Sequence, residues 1–151
     1  MKKLFFVFAV VMLWVTPALA DTPDAKALWT TITHEDPYKK WDNWPDHEGI
    51  QPGAAPHGPL HEVFVNKAGL SKKGYPKTNG TIIVKENLTK EKKLAAITVM
   101  YKVDGYNPEA GNWYWAKFSP DGTVDKAGQV AGCINCHSSR KAQDYIMVSD
   151  H

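Results

Sequence analysis

Between Thr81 and Phe118 the chain reads TIIVKENLTKEKKLAAITVMYKVDGYNPEAGNWYWAKF, and three runs within it carry strand chemistry. Thr81–Asn87 is rich in β-branched residues and follows the turn pair Asn79-Gly80. Leu94–Val103 sets Ile97, Val99, Tyr101 and Val103 on one face. Asn112–Phe118 sets Trp113 and Trp115 on one face and Tyr114 and Phe118 on the other, and Ser119-Pro120-Asp121-Gly122 then turns the chain. In the first run Lys85 shares a face with Thr81 and Ile83, while Ile82 and Val84 share the other with Glu86. Alternation alone does not say which face lies inside.

Working outward, His61–Asn66 carries Val63-Phe64-Val65 and reads as an earlier strand, and Lys67–Lys73 as a short helix ending at Gly74. Thr22 and Pro23 have the chemistry of a helix start, and Ala25, Leu28, Trp29 and Ile32 recur at helical spacing up to Thr33. Residues 34–59 show no period and hold Pro37, Pro45, Pro52, Pro56 and Pro59, so they form a long irregular segment with Trp41 and Trp44 as its anchors on the core. Asp144–Val148 is a closing apolar segment.

The 151 residues suit one domain, and 43% hydrophobic with 23% charged residues is globular composition. Six Trp and six Tyr are a large aromatic payload for this length, as a bulky flat occupant of the core would require. Eighteen Lys+Arg oppose 16 Asp+Glu, and without Lys2 and Lys3 the two counts are equal. That balance lacks the basic footprint of a nucleic-acid binder. Lys2-Lys3, the apolar run Leu4–Val15 and Ala18-Leu19-Ala20 have the layout of a secretory signal peptide, residues 1–20, cleaved after Ala20. The apolar run would rise only about 18 Å as a helix, short of a bilayer core of about 30 Å. The mature chain is then 21–151, exported and with no membrane span.

Cys133-Ile134-Asn135-Cys136-His137 is C-x-x-C-H, the attachment sequence of a c-type haem. Two thiols three residues apart reach two vinyl groups on one porphyrin edge, and the adjacent imidazole supplies the proximal iron ligand. A structural disulfide, a thioredoxin-like pair and half a zinc site are the other readings of two such cysteines. A redox pair belongs after an early strand, whereas this motif is late. No second pair lies at zinc spacing.

Strands ahead of a late motif separate this chain from helical cytochromes. In order, Pro56-His57-Gly58, Val63-Phe64-Val65-Asn66, Gly80-Thr81-Ile82-Ile83-Val84-Lys85-Glu86, Gly111-Asn112-Trp113 and Cys133–His137 resemble the cytochrome P-460 family, which includes cytochrome c′-beta. The resemblance implies an α+β fold: a small antiparallel β-sheet domain with a few helices around one covalent haem (heme c) per chain. It implies a periplasmic homodimer with five-coordinate iron, His137 proximal, and an open position for nitric oxide or hydroxylamine. It further implies that Lys85, in the family's V-K-E segment, points at the haem edge, where cytochrome P-460 itself has a lysine bonded to a meso carbon. Such a link needs a neutral amine, which burial favours. From its residues alone, Lys85 reads as a solvated lysine on a half-exposed strand.

Hydroxylamine-oxidising members use a carboxylate beside the distal site. The corresponding Ile97-Thr98-Val99-Met100 has none, which suits an apolar pocket for a neutral gas such as nitric oxide. Lys85 linked to haem implies a hydroxylamine-oxidising enzyme; unlinked, it implies a gas-binding cytochrome. The competing function is an electron carrier with six-coordinate iron. Met100 and Met147 are candidate sixth ligands, although methionine in apolar segments is ordinarily core filler. His57 and His61 are candidate pocket residues or ligands, against the plainer role of structural hydrogen bonding. Glu86 reads as a surface carboxylate. Lys90, Lys92 and Lys93 read as a solvated turn, or as a docking patch for an acidic periplasmic redox partner.

Overall fold

The structure, a computed structural model, describes residues 22–148, and the expected signal peptide lies outside them. Apolar residues at both parities of a strand require cover on both faces. Strand β4 (Ile82–Leu88) is of this kind, with all its residues buried except half-buried Lys85. It sits inside an antiparallel sheet with β3 (Leu60–Val65), β5 (Leu94–Lys102), β6 (Trp113–Phe118) and β7 (Val124–Gly128), in the order β3-β4-β5-β6-β7. Two short strands, β1 (Asp42–Asn43) and β2 (Gln51–Pro52), share the free edge of β3, giving seven strands among the described residues. An open antiparallel sheet with a few helices is the expected α+β class.

The first face carries Phe64, Ile82, Val84, Ile97, Val99, Tyr114, Ala116 and Phe118. Helix α1 (Ala25–Thr30) and a wide turn over Thr31–Glu35 cover it with Leu28 and Ile32. Trp29 packs on Phe118 at 5.0 Å between ring centroids. The helix begins two residues later than Thr22 implies, because the Asp24 carboxylate accepts from the Ala27 amide at 2.8 Å. The second face carries Val63, Val65, Ile83, Met100, Trp113 and Trp115. Trp44, Tyr145 and Ile146 cover it, and Cys133 and Ile134 of helix α3 (Ala131–His137) pack alongside.

Residues 34–59 do hang on their tryptophans, on opposite faces: Trp41 packs on the first core and Trp44 is buried in the second. Helix α2 (Lys67–Leu70) is a single turn capped by Asn66, which accepts from the Gly69 amide, and it stops short of Gly74. Strand β7 has no counterpart in the sequence reading, since its three central residues are exposed and its apolar and polar residues do not alternate. Glu86 corrects the expectation of a surface carboxylate. It is only 5% exposed, and it is satisfied by the Tyr38 hydroxyl and the Lys39 ammonium, each at 2.6 Å.

Phe118 is fully buried between α1 and the sheet. Phe118→Ala is expected to destabilise the protein by about 3–5 kcal/mol, read as a lower denaturant midpoint at unchanged slope.

Candidate haem site

Helix α3 is the heptapeptide AGCINCH. Offsets of three and four residues bring Cys133, Cys136 and His137 to one face. The two cysteines are not joined to each other by a disulfide; Cys133 is half-buried and Cys136 exposed. Nothing meets a Cβ built at Gly132, so the approach beside Cys133 is open. The His137 ring rests on Trp115, 4.7 Å between centroids, and burial lowers its basicity. Its Nδ1 lies 2.7 Å from the Tyr145 carbonyl oxygen. A carbonyl only accepts, so Nδ1 carries the hydrogen and Nε2 keeps its lone pair. That is the tautomer of a metal-bound imidazole oriented by a backbone carbonyl.

The carbonyl is presented by two consecutive left-handed residues, Asp144 (φ 55°) and Tyr145 (φ 65°). Left-handed backbone costs a non-glycine residue about 1–2 kcal/mol, so this turn needs external ties. The Asp144 carboxylate accepts both from the Lys102 ammonium (2.6 Å to each oxygen) and from the Lys77 amide at 2.8 Å. The Trp113 indole N–H donates to the Asp144 carbonyl at 2.8 Å. Lys102 also donates to the Gly111 carbonyl at 2.9 Å. Gly111 has φ 68°, and a Cβ there would press on Tyr145, Asp144 and Trp113 at 3.0–3.1 Å. Sequence reasoning passed over Lys102, Asp144 and the Tyr145 carbonyl. Parity puts Lys102 on the face of Thr98 and Met100, but no local signal names a partner 42 residues away.

Lys85 lies on this second face, between Ile83 and Asn87 along β4, opposite Val63 on β3 and Thr98 on β5. The face is inside, and burial lowers the amine's pKa. Burial first, and the Lys85 charge after it, lowers the basicity of His47, His57, His61 and His137. The Asn87 amide group donates to the Ala96 carbonyl (3.1 Å) and the Thr98 hydroxyl (3.3 Å). Its oxygen therefore accepts from His57 Nδ1 at 3.0 Å, leaving His57 Nε2 as a bare acceptor. The His57 ring centre is 6.3 Å from that of His137. His61 and His47 face each other with Nε2 atoms 2.7 Å apart. Both candidate histidines thus make the structural hydrogen bonds expected of them, on the face that carries Lys85.

The expected apolar character of Ile97–Met100 needs correction. Ile97 and Val99 belong to the first core, and only Thr98 and Met100 share the face of Lys85. That face carries imidazoles and an amide as well as apolar groups. Met100 is core filler, as expected of methionine, whereas Met147 is 45% exposed because the turn at Asp144-Tyr145 directs Ile146, not Met147, into the core.

These residues fit a c-type haem. Two thiols and a ligand-tautomer imidazole share one helix, and Trp115 keeps a buried indole N–H without an acceptor beside that imidazole. The family model for cytochrome P-460 matches residues 35–148, and the chain belongs to that family. Membership makes it a haem protein of the cytochrome class. No curated protein matches the chain. Among the described residues no helix is long and apolar enough to cross a membrane.

Burial, followed by the Lys85 charge, pushes His61 from its ordinary 6.5 to about 4. Between these values the unfolded chain binds the extra proton, so stability falls as pH drops from about 6.5 toward 4. His61→Gln is expected to reduce the pH dependence of the unfolding free energy in that window, leaving the part due to His57, which burial likewise lowers to about 4, and to leave the slope above pH 7 unchanged, as measured by denaturant titrations across pH.

Proposed function

We propose that the protein is an exported periplasmic cytochrome with one covalent haem, attached through Cys133 and Cys136 and ligated by His137, that takes nitric oxide or hydroxylamine at an open iron position. The observation that carries this reading is the Nδ1–H bond from His137 to the Tyr145 carbonyl, which leaves Nε2 as a ligand on the helix bearing both thiols. When bound, the haem supplies an axial position for a small ligand and a one-electron couple. The protein's part is to orient, desolvate and hold protons. Trp115, Val63 and Ile83 keep water from the face. Lys85, shifted toward its neutral form, would face the haem edge and supply the amine of a meso-carbon link, a bond that replaces the meso C–H and so also requires an external two-electron oxidant to take up the electrons released with the two protons. His57, with Nδ1 committed to Asn87, takes a proton only at Nε2.

Linked through Lys85, the protein is a hydroxylamine-oxidising oxidoreductase; unlinked, it captures nitric oxide. The burial of Lys85 favours the link. A second reading, an electron carrier with six-coordinate iron, is favoured by His57, whose unclaimed Nε2 belongs to a ring 6.3 Å from that of His137. A homodimer and an acidic redox partner, met by Lys90, Lys92 and Lys93, complete the proposal.

Absorption spectra of the purified protein, oxidised and reduced, with and without nitric oxide, test it. The expected results are haem that stays with the denatured chain, a five-coordinate high-spin spectrum, and a shift with nitric oxide. A red-shifted main band lost in Lys85→Arg, with a haem-bridged Lys85 peptide in the digest, would establish the link. A colourless protein from a host with a working haem-attachment system would overturn the reading. A low-spin spectrum that ignores nitric oxide would favour the electron carrier.

A further inference from the structure

We infer that the buried Lys102–Asp144 ion pair is the positioning device of the proximal ligand: it holds the Tyr145 carbonyl against His137 Nδ1 and thereby sets how strongly His137 Nε2 donates. The inference rests on the haem reading above and adds to it a control on the iron's electronic state.

The chain of contacts is short. His137 Nδ1 donates to the Tyr145 carbonyl at 2.7 Å. The orientation of that carbonyl is fixed by the backbone of Asp144 and Tyr145, both left-handed. Neither is glycine, so the turn persists only through what ties it. The main chain supplies Tyr145 N–H to the Arg140 carbonyl (2.9 Å) and Ile146 N–H to the Gln143 carbonyl (3.0 Å), and the side-chain ties converge on Asp144: Lys102 Nζ at 2.6 Å on each carboxylate oxygen, the Lys77 amide on Oδ2, and the Trp113 indole on the main-chain carbonyl. With 7% and 5% of their side chains exposed, Lys102 and Asp144 are shielded from solvent. Removing either charge leaves the other buried and uncompensated, and the turn must rearrange to reach water or a new partner. Tyr145 is also tied from its far end, where its hydroxyl donates to the Glu109 carbonyl at 3.0 Å. That bond secures the side chain, whereas the ion pair braces the turn that carries the carbonyl.

A strong Nδ1–H···O=C bond gives the imidazole anionic character, strengthens the iron–nitrogen bond and favours the oxidised metal. Loosening it acts the other way. The test uses the haem-loaded protein. The iron–histidine stretch of the reduced form is read by resonance Raman, the midpoint potential by redox titration, and the melting temperature alongside. Asp144→Asn keeps the size and the left-handed preference at 144 while removing the charge. Lys102→Gln keeps a donor while removing the cation. Both are expected to lower the stretching frequency and raise the potential. Tyr145→Phe, which loses only the hydroxyl bond, is expected to lower the melting temperature and leave both readouts at wild-type values. Should Asp144→Asn fail to accumulate with haem, Lys102→Gln carries the test alone.

Variants that melt earlier but keep wild-type frequency and potential would overturn the inference, leaving the pair a purely structural one. Equal shifts in Tyr145→Phe would also overturn it, because the readouts would then follow general loosening. A wild-type protein without haem would instead overturn the haem reading itself, and is told apart by its lack of colour.

Discussion

A sheet covered on both faces is the constraint from which the rest follows. Strands β4 to β6 bury residues of both parities, so a charged residue on them is directed into one core or the other. Glu86, Lys102 and Lys85 are all caught in this way. Glu86 is neutralised on the first face by Tyr38 and Lys39, and Lys102 on the second by Asp144. Lys85, half-buried, faces no carboxylate partner among the described residues, and burial is what lowers its pKa. Burial of an unpaired amine is costly, and such positions concentrate where chemistry is done.

The same architecture divides labour between the faces. The first is an aliphatic and aromatic core closed by α1, and the Glu86 carboxylate buried in it is satisfied by Tyr38 and Lys39. The second receives the tryptophans Trp44, Trp113 and Trp115, the attachment helix and the closing turn. Two imidazoles there have a definite direction. Asn87 fixes the tautomer of His57, and the Tyr145 carbonyl fixes that of His137. A prosthetic group entering this face meets nitrogen lone pairs whose orientation is already set, which lowers the reorganisation its binding demands.

Much of this was legible in the chain. The attachment motif is local, so spacing alone exposes it. The inner strands are legible because alternation is a property of consecutive residues, and Ile97, Val99 and Tyr101 do share a face as their parity requires. The family resemblance extended the reading to an antiparallel sheet, and the match over residues 35–148 bears it out. Illegible elements share one cause. Strand β7 is held by hydrogen bonds to β6 and puts only Val124 on the core, so it leaves no alternating pattern. The burial of Glu86 depends on Tyr38, 48 residues away. The short pairings of β1 and β2 depend on the edge that β3 offers them.

Residue order alone therefore determined the strand periods, the two thiols and imidazole on one helical turn, and the parity that separates Lys85 from Glu86. Those properties are written within a few neighbouring positions, where covalent geometry fixes the relation between side chains. The tertiary structure decided that both sides of the sheet are interior, that Asp144 meets Lys102, and that a main-chain carbonyl selects the tautomer of His137. These depend on contacts between segments distant in the chain. Burial then favours whatever partner the packing supplies, as Glu86 and Asp144 have found theirs.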